Sequence, residues 1–155
     1  MGAGVYGQPV GRRLRISLGK YATVLQAEMY AILSCAYEIQ MNVRPEKCMS
    51  ICSDSQVALK ALQAAKTMSP LVQQCVKVLN DISTQYTVGL SWVPWPAGVR
   101  GNEIADKLTR NASVQMFVGP DPSLGLSRQN IKKKNKSWMD NHHLARWQGL
   151  GSAQR

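Results

Sequence analysis

The sequence predicts one α/β domain followed by a basic tail. Segments that alternate apolar and polar residues, typical of half-buried strands, are interspersed with segments whose apolar residues recur every three or four positions, typical of helices. A hydrophobic content of 45% and a charged content of 18% are globular values. This alternation favours a mixed sheet with flanking helices. We expect the domain to cover residues 1–113, a linker residues 114–126 and a basic helical tail residues 127–155.

The first predicted elements form a β-hairpin. Residues 2–7 are small and compatible with a strand, and residues 8–11 are a turn signal. Residues 13–18 then alternate polar and apolar side chains, which indicates a half-buried strand. Its polar face carries Arg13 and Arg15.

A helix is predicted from residue 24 to about residue 40. Thr23 and Gln26 fit a capping box, in which each side chain bonds the other's backbone N–H. The predicted buried stripe consists of Leu25, Met29, Ile32, Ala36 and Ile39. Glu28 lies beside this stripe, where it is either a carboxylate with a function or only a partner of the helix dipole.

Residues 49–53 are typical of a short buried strand that ends at Asp54. Asp54 or Ser55 caps the next helix, and the carboxyl end of a strand is where α/β folds place ligand groups. The alternative for Asp54 is a plain capping role. Ser69 and Pro70 open a further helix, as N-cap and first residue, with buried positions at Leu71, Cys75, Val78, Leu79 and Ile82.

A strand over residues 86–92 leads through a Pro/Gly-rich loop into another helix. Asn102 is predicted to be the N-cap of this helix, and Glu103 lies in the first turn, which favours an anion. Asp106 lies close to the apolar face of the helix. Alone it is either a solvated acid or a ligand that needs a partner.

The charge is concentrated at the two ends of the chain. Residues 1–20 carry +4, residues 21–120 carry eight basic and seven acidic side chains, and residues 121–155 carry seven basic and two acidic ones, which sum to the net +10. Basic flanks around a nearly neutral centre favour a nucleic-acid partner, with a general solubility charge as the alternative. The candidate phosphate contacts are Arg12, Arg13, Arg15, Lys132, Lys133, Lys134 and Lys136. For the lysines, a solvated helix face and a nuclear-import patch remain open.

The apolar runs, the N-terminal residues and the cysteine content together favour an intracellular protein without a membrane span. No apolar run is long enough to cross a bilayer, and the first residues lack a signal-peptide pattern. The four cysteines are therefore expected to be reduced thiols rather than a disulfide framework. The sequence does not distinguish nucleus from cytoplasm.

Three acids form the candidate site: Glu28, Asp54 and Asp106. Clustered carboxylates repel one another and need cations between them, and oxygen ligands suit Mg²⁺ or Mn²⁺. Two such ions about 3.5–4 Å apart activate water and stabilise the leaving oxygen in phosphodiester cleavage.

Four motifs, in order and suitably spaced, resemble the type 1 ribonuclease H domain of non-LTR retrotransposon reverse transcriptase polyproteins. They are residues 2–6 (GAGVY), 26–32 (QAEMYAI), 53–56 (SDSQ) and the pair 92–94 (WVP) with 101–108 (GNEIADKL). The last pair is the most specific, and the resemblance extends to about residue 113. The tail resembles, more weakly, the connector that follows this domain in such polyproteins.

The resemblance implies a ribonuclease H-like fold and cleavage of the RNA strand of an RNA–DNA hybrid with two Mg²⁺ ions. Glu28, Asp54 and Asp106 match three of the family's four metal-binding acids. Asn102 is also expected to contact the nucleic acid.

The sequence also departs from the family pattern. Trp95-Pro96 replaces the usual Gly-His pair, and Pro96 cannot transfer a proton. The first family acid belongs to a central strand just before the Gly-Ala-Gly segment, whereas residues 1–27 contain no Asp or Glu. We read the domain as N-terminally truncated, with the hairpin separated from the other strands and backbone edges left unpaired. We predict that the chain cleaves poorly or not at all. The alternatives are an inactive remnant that only binds nucleic acid and an unrelated interaction domain.

Overall fold

The structure is a computed structural model that describes residues 1–7, 11–64, 69–94, 100–114, 124 and 128–151. This part of the chain contains four strands and five helices, in the order strand, strand, helix, strand, helix, helix, strand, helix, helix. The helices are α1 (Val24–Met41), α2 (Gln56–Gln63), α3 (Pro70–Ser83), α4 (Arg100–Val114) and α5 (Arg128–Gly151).

The predicted hairpin is present. Strands β1 (Gly2–Gly7) and β2 (Arg12–Ser17) pair antiparallel, with Gly2 opposite Ser17 and Gly7 opposite Arg12. Gly11 precedes β2 with a φ of 63°, a left-handed conformation that glycine adopts without steric cost. The other predicted turn residues, 8–10, lie outside the described residues.

The second sheet is a parallel pair, β3 (Cys48–Ser53) and β4 (Thr87–Trp92). The predicted burial of β3 is wrong in part. Ile51 and Ser53 are buried, whereas Cys48, Ser50 and Cys52 are exposed. Successive side chains of a strand point to opposite faces, and only one face of β3 packs on the helical core, which includes Ile51.

Local signals account for most helix starts. Thr23 and Gln26 form the predicted capping box of α1, in which Gln26 N–H donates to Thr23 Oγ1 at 3.2 Å and Thr23 N–H donates to Gln26 Oε1 at 3.0 Å. Ser55 caps α2, and Pro70 is the first residue of α3. The predicted positions of α3 are all buried in the main core, which α1 and α3 share. Leu25 is an exception to the α1 stripe, since it is 38% exposed.

Helices α1 and α4 lie on opposite faces of the hairpin. Ala3 packs with Ala27 of α1 in a small buried cluster. A Cβ atom added at Gly2 would lie 2.7 Å from the Cβ of Ala112 in α4, and one added at Gly4 would lie 2.6 Å from the backbone nitrogen of Thr109. Neighbouring residues of a strand face opposite ways. Ala3 therefore faces α1, and Gly2 and Gly4 face α4 on the other side of the hairpin. Glycine is required here for α4 to approach the strand backbone.

The two sheets are separate in the described part of the chain. There β1 pairs only with β2, and β3 pairs only with β4. The sequence-based expectation that the hairpin is separated from the other strands is therefore met. Each of the four described strands therefore has one edge without a neighbouring strand.

The chain divides into two compact units, Met1–Gly125 and Leu126–Arg155. The second consists, as far as it is described, of helix α5. Most of the predicted linker lies outside the described residues. No described helix is long and apolar enough to cross a membrane.

Candidate functional site

The three predicted acids come from three different elements. Glu28 lies in the first half of α1, Asp54 directly follows β3, and Asp106 lies in the middle of α4. All three line one groove of about 490 Å³ within the first unit. The fold therefore brings to one groove residues that are up to 78 positions apart in the sequence.

Glu28 has the most perturbed carboxyl group of the three. Burial raises its pKa above the ordinary value of 4.5, and the negative charges of Asp54 and then Asp106 raise it further. Desolvation disfavours the charged form of an acid, and so do like charges nearby. Glu28 is thus both partly buried and electrostatically coupled to the other two acids, which favours a functional carboxylate over a simple dipole partner.

Asp54 is fixed by its neighbours on three elements. Ser55 begins α2 by accepting a hydrogen bond from Ala58 N–H at 3.2 Å. The Trp92 indole N–H, at the end of β4, donates to the carbonyl oxygen of Asp54 at 3.2 Å. The side-chain amide of Asn102 in α4 donates to Asp54 Oδ2 at 3.5 Å, a long hydrogen bond. The first two contacts fix the backbone around Asp54, whereas its exposed carboxylate has only the long contact with Asn102.

Asn102 does not cap α4, so the predicted N-cap is wrong. Helix α4 is already formed at Arg100, and Asn102 lies inside it. Gly101 lies in the first turn beside Tyr6 of β1, where an added Cβ would make an ordinary contact of 3.4 Å with the Tyr6 ring. From its position inside the helix, the Asn102 side chain reaches Asp54. Glu103 lies in the first turn, as predicted.

Asp106 forms an ion pair within its own helix. Arg110 Nη2 donates to Asp106 Oδ2 at 2.5 Å, an i,i+4 pair on a partly exposed surface. Such pairs contribute only about 0.3–0.5 kcal/mol, so a cation could displace the arginine at little cost.

The spacing of Asp106 and Arg110 is a signal from which the sequence could have predicted this ion pair. The contacts of Asn102 and Trp92 with Asp54 are long-range, and no local pattern reveals them.

The donor set suits a hard divalent cation. All three side chains offer carboxylate oxygens, and a cation would relieve the repulsion that raises the pKa of Glu28. Among the described residues, however, no three side chains of His, Cys, Asp or Glu lie close enough together to hold one metal ion. The acids therefore share one groove without forming a closed ligand set. The predicted Trp95-Pro96 departure lies outside the described residues.

The candidate phosphate contacts fall into separate groups. Arg13 and Arg15 are exposed and lie opposite Tyr6 and Gly4 in the hairpin register, hence on the face towards α4. Arg12 instead pairs with Glu38 of α1, with 2.8 Å between Nε and Oε2. The tail lysines are exposed on α5: Lys132, Lys133, Lys134 and Lys136. Their contact with nucleic acid stays a prediction.

The four cysteines are free thiols, as expected.

The described domain is a mixed α/β domain with three carboxylates on one groove and exposed arginines on its hairpin, features that suit a protein acting on nucleic acid. The family model for RNase H matches residues 1–114, and the chain belongs to the RNase H family. This confirms the resemblance at the level of the family and of the α/β fold. Members of this family act as ribonucleases on RNA–DNA hybrids or related nucleic acids and generally use divalent metal ions.

Proposed function

We propose that this chain is a ribonuclease H domain of non-LTR retroelement origin that binds RNA–DNA hybrids. It hydrolyses the RNA strand slowly in the presence of Mg²⁺. One observation carries the proposal: Glu28, Asp54 and Asp106 come from three elements and line one groove, where they are coupled electrostatically. The retroelement origin rests on the four sequence motifs alone.

The three acids would hold the divalent ion at the carboxyl end of β3. When bound, the ion supplies an activated water and stabilises the leaving oxygen of the phosphodiester. Asn102 and Trp92 orient Asp54 through the hydrogen bonds described above. Arg110 balances the charge of Asp106 until a cation binds. Arg13 and Arg15 hold the hybrid by its phosphates, which carry no sequence information.

Slow turnover is proposed because the three acids do not form a closed ligand set in the described structure. In a site whose ligands must first move together, part of the metal-binding free energy is lost to that rearrangement.

A domain that binds nucleic acid without any cleavage is the second candidate, and the exposed arginines alone would support it.

Cleavage of a labelled hybrid by purified residues 1–155 tests the proposal. We expect tighter binding of RNA–DNA hybrid than of duplex DNA, and RNA cleavage with Mg²⁺ far below the typical enzyme rate of about 10 s⁻¹. Asp54→Asn should abolish cleavage, whereas the exposed Asp81→Asn on α3 should not change it. No cleavage with hybrid binding retained would favour the second candidate. Absence of hybrid binding would contradict both.

A further inference from the structure

Arg110 is the cationic side chain that the fold places beside the three acids. Its Nη2 atom donates to Oδ2 of Asp106 at 2.5 Å, and within the described part of the chain the three acids make no other ion pair. The arginine side chain is 69% exposed, whereas the aspartate side chain is 33% exposed and lines the groove. The guanidinium group therefore lies in solvent and touches the site only through this one carboxylate.

The pair between Arg110 and Asp106 is of a kind that opens easily. Exposed ion pairs within a helix contribute little stability, because water solvates both charges and the side chains lose rotamer freedom. A divalent cation bound by the acids would bring two positive charges close to the guanidinium, and like charges repel each other. Cation binding and the ion pair therefore oppose each other.

Helix α4 offers Arg110 no second acid nearby. The positions three and four residues away, which neighbour it on the helix surface, are Asp106 itself, Lys107, Ser113 and Val114. The other acid of the helix, Glu103, lies two turns away, about 10 Å along the axis. An arginine released from Asp106 has therefore no replacement partner on its own helix.

The elements that pack against α4 are neutral or positive. These elements are mainly β1 and β2. Strand β1 has no charged residue, and the charged residues of β2 are all arginines, Arg12, Arg13 and Arg15. Such surroundings suit an anion from outside the protein. A planar guanidinium binds phosphate through two parallel hydrogen bonds, and nucleic acid lying along the acids presents such phosphates.

We propose that Arg110 is a conditional contact to nucleic acid. Its guanidinium pairs with Asp106 in the metal-free protein and binds a backbone phosphate when a divalent cation occupies the acids. This role rests on the proposed function, which supplies both the metal site and the nucleic-acid partner. By linkage, the cation and the nucleic acid then increase each other's affinity through one side chain. Simple screening of the acids by the cation would not depend on Arg110.

Affinity for a fluorescently labelled RNA–DNA hybrid, measured in EDTA and in Mg²⁺, tests this role. Stopped-flow anisotropy is read before cleavage, and a denaturing gel verifies that the RNA strand is intact. The decisive quantity is the ratio of the affinity in Mg²⁺ to the affinity in EDTA. We expect Arg110→Gln to lower this ratio about fivefold. Lys107→Gln removes the same charge from an exposed position of the same helix and should leave the ratio unchanged.

Asp106→Asn opens the ion pair without any metal. In EDTA, the loss of a negative charge increases hybrid affinity by itself, so this substitution is made in wild type and in the Arg110→Gln variant. The increase should be about fivefold larger in wild type, because only there is a guanidinium released. Additive effects of the two substitutions would overturn the proposal.

NMR of the Arg110 side chain provides a readout that needs neither nucleic acid nor activity. On titration with Mg²⁺, its Nε–H signal should shift with the same dissociation constant as the amides of Glu28 and Asp54. If Mg²⁺ shifts those amides but not this signal, or if the affinity ratio is equal in wild type and Arg110→Gln, the role of Arg110 is overturned and the metal site stands. No shift at any of the three acids would contradict the proposed metal site and, with it, the role of Arg110.

Discussion

At the scale of the residue, the site is defined by like charges rather than by complementary ones. Glu28 is partly buried and faces two further carboxylates. Asp54 and Asp106 each have a polar neighbour, Asn102 and Arg110, that offsets part of their charge. Such an arrangement costs stability when no cation is present, which is typical of sites shaped by function rather than by folding.

Neutralising Glu28 should therefore stabilise the metal-free protein. The raised pKa means that the folded state binds a proton more tightly than the unfolded state, so stability increases as the pH falls through the folded pKa towards 4.5. We expect Glu28→Gln at pH 7.5 in EDTA to add on the order of 0.5 kcal/mol, a small effect because solvent screens the group. Thermal unfolding at a series of pH values measures it, and the gain should vanish near pH 4.

Glu103→Gln is the matched control for this prediction. Glu103 is exposed in the first turn of α4, where the helix dipole favours its charge. Its neutralisation should leave stability unchanged or lower it slightly at pH 7.5. A Glu28→Gln variant that is less stable than wild type in EDTA at that pH would show that Glu28 has a favourable partner, contrary to the electrostatic description of the site.

At the scale of the element, the contact between β1 and α4 positions Asp106 and Asn102. Gly2 and Gly4 let the helix approach the strand so closely that no side chain fits between them. This contact explains the residue types of the Gly-Ala-Gly segment, since its two glycines face α4 and the alanine between them faces α1. The orientation of α4, and with it the reach of Asn102 to Asp54, depends on this contact.

A methyl group at Gly4 should displace α4. Gly4→Ala would place a Cβ atom 2.6 Å from the backbone nitrogen of Thr109, and overpacking of this kind costs about 1–3 kcal/mol. Chemical denaturation measures the loss of unfolding free energy. Gly7→Ala in the same strand is the control, since its Cβ would be 3.8 Å from that of Arg12, an ordinary contact. Equal stability of the two variants would contradict the close packing of β1 on α4.

The sequence predicts those elements whose signals are local. The capping box at Thr23, the cap at Ser55 and the apolar positions of α3 need only neighbouring residues, and the structure contains all of them. The error at Asn102 arose because a good capping residue also fits inside a helix when a distant partner, here Asp54, holds its side chain. The exposed face of β3 could not be foreseen, since burial depends on which elements pack against a strand.

At the scale of the whole molecule, positive charge is spread over both units rather than gathered at the acids. The hairpin presents Arg13 and Arg15, and α5 presents a run of lysines in a separate compact unit. The acids themselves repel a polyanion. Binding of nucleic acid is therefore expected to depend on phosphate contacts away from the acidic residues, with a divalent ion reducing the repulsion at the site itself.

Affinity for an RNA–DNA hybrid should fall steeply with salt. The logarithm of the binding constant falls linearly with the logarithm of the salt concentration. Removing one phosphate-binding side chain should make this slope less negative by about 0.9, a value taken from duplex DNA. We expect Arg13→Gln and Arg15→Gln each to change it by about that amount. Arg12→Gln should have a smaller effect, because Arg12 already pairs with Glu38. A slope that stays at the wild-type value in all three variants would exclude the hairpin from the interface.

The most direct test of the site is a titration of residues 1–155 with Mg²⁺ followed by NMR. The predicted result is that the amide signals near Glu28, Asp54 and Asp106 shift together with a single dissociation constant. Asp54→Asn should weaken that binding at all three positions, whereas Asp81→Asn should not. Signals that shift independently at the three acids, or that respond equally in both variants, would contradict a shared metal site.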